Sequence, residues 1–180
     1  MVNPIRAIPF PIGAEPVETL PPPAVIGGEA SIRLVSVVVE VAEALVTESL
    51  RSAAMENTIL IREEGLDHLV QLKDPRMQRV VLSLLVPEDR TQIHRTVAEA
   101  LTQIHRRRSR VAGLIADHLI KGDRPMEAWP LLIDAAWRAQ RLGDLNTARE
   151  RIDSALEAVP LERVTGVETH QKHLAQLMIL

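Results

Sequence analysis

The chain has no cysteine. That excludes disulfides, thiolate metal sites and cysteine nucleophiles, and it leaves the redox compartment unspecified. It has no tyrosine, one phenylalanine (Phe10) and two tryptophans (Trp129, Trp137). Single-stranded nucleic acids are held by stacking bases on aromatic faces, so this poverty argues against that mode. No apolar run approaches the roughly 20 residues that span a bilayer. The opening MVNPIRAIPFPIG is too rich in proline for a signal-peptide core. A soluble cytoplasmic protein is the expectation. Positive charge is also short: the formal net charge is −3, where dedicated nucleic-acid binders carry a clear cationic excess. Finally, no glycine-rich loop closes on Gly-Lys-Ser or Gly-Lys-Thr, so nothing predicts a phosphate cradle or nucleotide hydrolysis.

What is present divides by texture along 180 residues, room for one domain or two small ones. Residues 1–30 hold Pro4, Pro9, Pro11, Pro16, Pro21, Pro22 and Pro23, then Gly27 and Gly28. Proline removes amide donors and fixes φ, which predicts an extended tail without helix or central strand. From Leu34 to Glu56 the apolar positions suggest one or two helices. The β-branched run VSVVVEV leaves a strand open as the alternative, and Thr47 before Glu48 is a candidate helix start. Residues 58–74, TILIREEGLDHLVQLKD, place Ile59 and Ile61 before EEGLD, and Leu69, Val70 and Leu72 after it. Two short strands about a turn at Gly65 are expected.

The remainder reads as helix. Pro75 opens a segment that Pro87 stops. Residues 88–105 carry Ile93, Val97, Leu101 and Ile104 on one stripe, and residues 109–121 repeat the pattern. Further helices are expected over 126–142 and 145–159, and a last one from Val167 to Leu180. Gly122-Asp123 and Gly143-Asp144 each close a helix; glycine permits a left-handed cap, and Asp can cap the next helix. Short turns of this kind make antiparallel neighbours, and a run of them is a helical repeat array.

Two stretches carry a resemblance. LLIDAAWRAQRLGDLNTARERIDSALEAVP resembles a tetratricopeptide repeat: Ala136 at the close approach, Gly143 at the turn, Ala148, Ile152 and Ala155 on one face, Pro160 at the end. Leu132 and Ala139 depart from it, standing where aromatics are common. Upstream, Arg90, His94, Val97, Ala98 and Leu101, then Ala116, His118, Leu119, Gly122, Asp123 and Ala128, are similar to a pattern of LuxR-type ATP-dependent transcription regulators and related multidomain signalling ATPases. The resemblance covers roughly residues 45–160. Asp74 departs from it, standing where that family often has His before the proline.

The resemblance implies a mainly α fold: a small winged-helix-like module with one β-hairpin, followed by a tetratricopeptide-like helical array. The corresponding divisions are a Pro-rich tail over 1–30, the module over 31–87 and the array over 88–180. The family's ATPase and DNA-binding parts are absent from this sequence. The implied role is a non-enzymatic, regulatory protein–protein interaction module, a signal-relay arm, with a protein partner or self-association.

The runner-up is a transcription regulator contacting DNA through the winged-helix-like module and the stretch HRRRSR. Arg106, Arg107, Arg108 and Arg110 can neutralise a few phosphates, giving salt-sensitive contact without sequence preference. The plainer reading of that run is a solvated joint between helices. In ESLRSAAMEN only Arg51 and Asn57 are good base readers. His94 and His118, among apolar neighbours, read as satisfied core or interface residues. His170 and His173 stand one turn apart with no third ligand, so no metal is expected. No nucleophile–base constellation is visible, Glu63-Glu64 reads as a solvated turn, and no catalytic residue or cofactor is expected. The last segment, HLAQLMIL, carries Leu174, Leu177, Met178 and Leu180. Burying each is worth about 1.5–3 kcal/mol. That segment is expected to fold back on 145–159, to dock on a partner, or to belong to a longer frame.

Overall fold

A computed structural model describes residues 21–64, 67–105 and 110–159, with residues 21–23 and 84 described by backbone alone. The fold is mainly α with a small three-stranded antiparallel sheet. It divides into two compact units, with the boundary between Ala100 and Leu101.

The first unit runs α1 (Pro21–Ile26), β1 (Glu29–Ser31), α2 (Ile32–Val39), α3 (Glu43–Met55), β2 (Ile59–Glu64), β3 (Asp67–Leu72) and α4 (Pro75–Leu84). The hairpin is where the alternation placed it. Strand β1 adds to its second strand, giving the order β1-β3-β2, with Ala30 and Ile61 both opposite Val70. Helix, strand, two helices and hairpin, in that order and with that pairing, make a winged-helix-like module. The inner face of the sheet buries Ala30, Ile59 and Val70.

The proline-rich segment is the first correction. Residues 21–30 are not a tail: α1 and β1 belong to the module, and Ala24, Val25, Ile26 and Ala30 are buried. Pro21, Pro22 and Pro23 occupy the first turn of α1. The amides of a first turn have no intrahelical acceptor, so proline there forfeits no hydrogen bond. The Gln78 side-chain amide donates to the Ala24 carbonyl at 2.9 Å and ties α4 to α1.

The β-branched run is helix α2, not strand. Ile32, Val35 and Val39, with Leu34 and Val38, fall on one buried face. Packing of that face outweighs the modest helix propensity of valine. Ser31 caps its start, accepting from the Leu34 amide at 3.1 Å. The break after α2 is at Glu40, φ 57°, and not at Thr47. Thr47 lies inside α3, its hydroxyl donating back to the Glu43 carbonyl at 2.7 Å.

Helix α5 (Pro87–Ile104) runs through the boundary between the units, with Ile93, Val97 and Leu101 buried. The second unit then contains α6 (Ala112–Lys121), α7 (Pro125–Arg141) and α8 (Leu145–Ala158). Helix α7 packs on both α6 and α8. Ala136 and Ala155 are fully buried, so small side chains stand where the helix axes come close. Arg151 reaches from α8 to Asp117 on α6 at 2.6 Å. Its guanidinium lies over Gly113, where an added Cβ would stand 3.2 Å from it.

Candidate protein-docking surface

In helix-turn-helix proteins the second helix of the motif is the one that reads a duplex. Here that helix is α3. It buries Val46, Leu50 and Ala53 and turns the opposite stripe to solvent. The stripe consists of Ala44, Leu45, Glu48, Arg51, Ser52 and Met55, with Leu45 58% and Met55 90% exposed. Two exposed carboxylates, Glu43 and Glu56, stand at its ends. Among the described residues, the carboxylates of Glu43, Glu48 and Glu56 have no ion pair.

Asn57, the other base reader, is a turn residue at φ 64°, and its side-chain oxygen accepts a hydrogen bond from Lys73. That leaves Arg51 as the base reader on α3. The hairpin adds no cationic grip. Arg62 is paired with Glu29 across the sheet at 2.9 Å. Glu63 and Glu64 are strand residues of β2 and not turn residues, and Glu64 stands directly opposite Asp67. Like charges in that register repel. His68 Nε2 lies 3.7 Å from Glu63. Over residues 29–74 nine carboxylates face four lysines and arginines. A surface of that sign repels phosphates.

The residues that carried the family resemblance are structural in this chain. The Arg90 guanidinium donates to the Leu82 carbonyl, one of the last in α4, which lacks an intrahelical donor. His94, Val97, Ala98 and Leu101 are buried, as are Ala116, His118, Leu119 and Ala128. Asp74 accepts from the Arg76 amide at 2.8 Å and caps α4. The two Gly-Asp turns differ in geometry. Gly143 is left-handed at φ 79°, and Asp144 caps α8. At the other turn the left-handed residue is Asp123, φ 59°, while Gly122 has φ −86°.

Of the basic run, Arg110 is exposed; Arg106, Arg107 and Arg108 lie outside the described residues. So do Leu174, Leu177, Met178 and Leu180, and the pair His170 and His173. Among the described residues no group of three His, Asp or Glu is placed to hold a metal. Among them, too, no helix is long and apolar enough to cross a membrane. The apolar stripe on α3 was missed at sequence level. Its signal was there, since Leu45 and Met55 fall off the helical stripe of Val46, Leu50 and Ala53.

No protein-family model, no curated protein and no solved structure matches the chain.

Proposed function

We propose that this chain is a non-enzymatic protein–protein interaction module, resembling the signal-relay arm of LuxR-type ATP-dependent transcription regulators. One observation carries the reading. The helix that would enter a duplex offers Leu45 and Met55 beside Glu43, Glu48 and Glu56, with Arg51 its one cation. Exposed apolar side chains beside unpaired charge suit a protein partner and not a polyphosphate. The buried, structural use of His94 and His118 is in keeping with a scaffold. The apolar segment at Leu174, Leu177, Met178 and Leu180 is the second contact region in this reading. The cytoplasm is the compartment such a relay requires.

The test measures duplex DNA binding by fluorescence anisotropy over a salt series, beside mass by sedimentation velocity. The expected result is no salt-sensitive DNA binding. Association that survives high salt is expected, with its loss in Leu174→Ser/Leu177→Ser. Two outcomes overturn the reading. One is salt-sensitive duplex binding lost when Arg106, Arg107, Arg108 and Arg110 are changed to Ala; that result favours the DNA-contacting regulator. The other is a strictly monomeric chain whose Leu174→Ser/Leu177→Ser variant melts lower, because those residues are then internal core.

A further inference from the structure

The outward stripe of α3 is a helix face with two large apolar side chains and Arg51 in solvent, and around them three carboxylates that have no ion pair among the described residues. On the footing of the interaction role above, we propose that this face receives residues 106–110 of a second copy of the chain.

Charge is the first argument. Residues 29–74 carry five more negative than positive charges, and residues 106–110 carry four arginines and no acid. Opposite charge thus stands in two separate stretches of one sequence. Self-complementarity of this kind builds contacts between copies. Side-chain chemistry is the second. Arginine lays its aliphatic stem on apolar surface while its planar fork pairs with carboxylates. Leu45 and Met55 supply the apolar bed, and Glu43, Glu48 and Glu56 supply the carboxylates. Lysine lacks that planar fork, and the run contains none. Reach is the third. The stretch from Glu43 to Glu56 spans about 20 Å along a helix rising 1.5 Å per residue. Five extended residues span about 17 Å. The run can therefore lie along most of the face, and the length of the arginine side chains makes up the remainder to the outer carboxylates.

The donor and acceptor surfaces are different patches, so the contact is heterologous. Copies add head to tail, in an open chain or a closed ring. The contact is exposed and ionic, so salt screens it.

The experiment uses the full chain and two neutralised variants in sedimentation velocity. One is Glu43→Gln/Glu48→Gln/Glu56→Gln, which removes the acceptor. The other is Arg106→Gln/Arg107→Gln/Arg108→Gln/Arg110→Gln, which removes the donor. Circular dichroism checks that both keep the native helix content. At low salt the unaltered chain is expected to gain mass with concentration beyond the level it keeps at high salt, and to lose that extra gain as salt rises. Each variant alone is expected to associate about tenfold more weakly or worse. Mixed at low salt, they are expected to pair 1:1 through the salt-sensitive contact and to add no further copy by it, because only one acceptor and one donor remain. A chain of constant mass at low salt overturns the proposal. So does variant behaviour equal to the unaltered chain, or a mixture without the 1:1 species. These outcomes are separable from failure of the interaction role. Salt-sensitive association tests the arginine contact; salt-resistant association and DNA binding test the role itself.

Discussion

Helix α7 has neighbours on both sides, α6 and α8, and buries Ala128, Trp129, Leu132, Ile133, Ala136 and Ala139. Helix α3 packs on α2 and β2 and buries only Val46, Leu50 and Ala53. Both are long helices with aliphatic residues spread round the wheel. The difference is what their second face meets. In α7 it meets another helix; in α3 it meets solvent, with Met55 90% exposed. A helix in the middle of an array spends its apolar residues on cohesion. A helix on the rim of a small module has apolar residues left over, and those can serve a contact with another molecule.

The largest effect that separates the two helices is at Leu132, fully buried at the centre of α7. Leu132→Ala removes its contacts and leaves a void between packed helices, so a loss of about 2–5 kcal/mol is expected in denaturant unfolding. A loss under about 1 kcal/mol would mean that α7 is not held on two sides.

Much of this contrast was legible in advance, and the illegible part has physical causes. Alternation at Ile59, Ile61, Leu69 or Val70 and Leu72 placed the hairpin, because the pleat has a fixed period of two. Pro75 marked a helix start. Three prolines in a row pointed the wrong way at Pro21, because helix exclusion holds for helix interiors and fails in a first turn. The break between α2 and α3 was hidden because Glu40, a residue with no turn preference, takes the left-handed position. The Gly-Asp pairs located two turns but not which residue turns: Asp123 in one, Gly143 in the other. The outward face of α3 was hidden for a different reason. The base-reading types of that stretch are Arg51 and Asn57, but what sets the character of the face is an exposed Met55 and the sign of the surrounding charge.

The starts of helices extend the comparison to electrostatics. Helix α3 begins at Ala42 with no side-chain cap, whereas α8 begins at Asp144, which accepts from the Thr147 amide at 3.1 Å. Hydrogen bonds from the Thr147 side chain, then from its backbone, hold the Asp144 carboxyl below its ordinary value of 3.8. A depressed folded-state value means that the unfolded chain takes up the proton first as pH falls. The cap's contribution is therefore complete above the ordinary value and is lost as pH falls through the depressed one. Asp144→Asn keeps an oxygen to accept the bond but does not titrate there. Melting curves of the two proteins should keep a constant offset near neutral pH and change that offset only in acid. Parallel curves throughout would show that the carboxylate does not cap α8 in solution.

The smallest expected effect lies on the outward stripe of α3, and its smallness is the point. Leu45 and Met55 are already in water, so replacing them forfeits almost no burial. Leu45→Ser and Met55→Ser should each leave unfolding free energy within about 0.5 kcal/mol of the unaltered chain. The same changes should weaken salt-sensitive association, though less than removing the three carboxylates does. Stability and association thus come apart on this face, as they cannot at Leu132, where any change that weakens packing also weakens the fold. A clear loss of stability at Met55 would place that side chain in an internal contact. The apolar stripe would then belong to the core of this chain, and the distinction between a rim helix and an array helix would fail at α3.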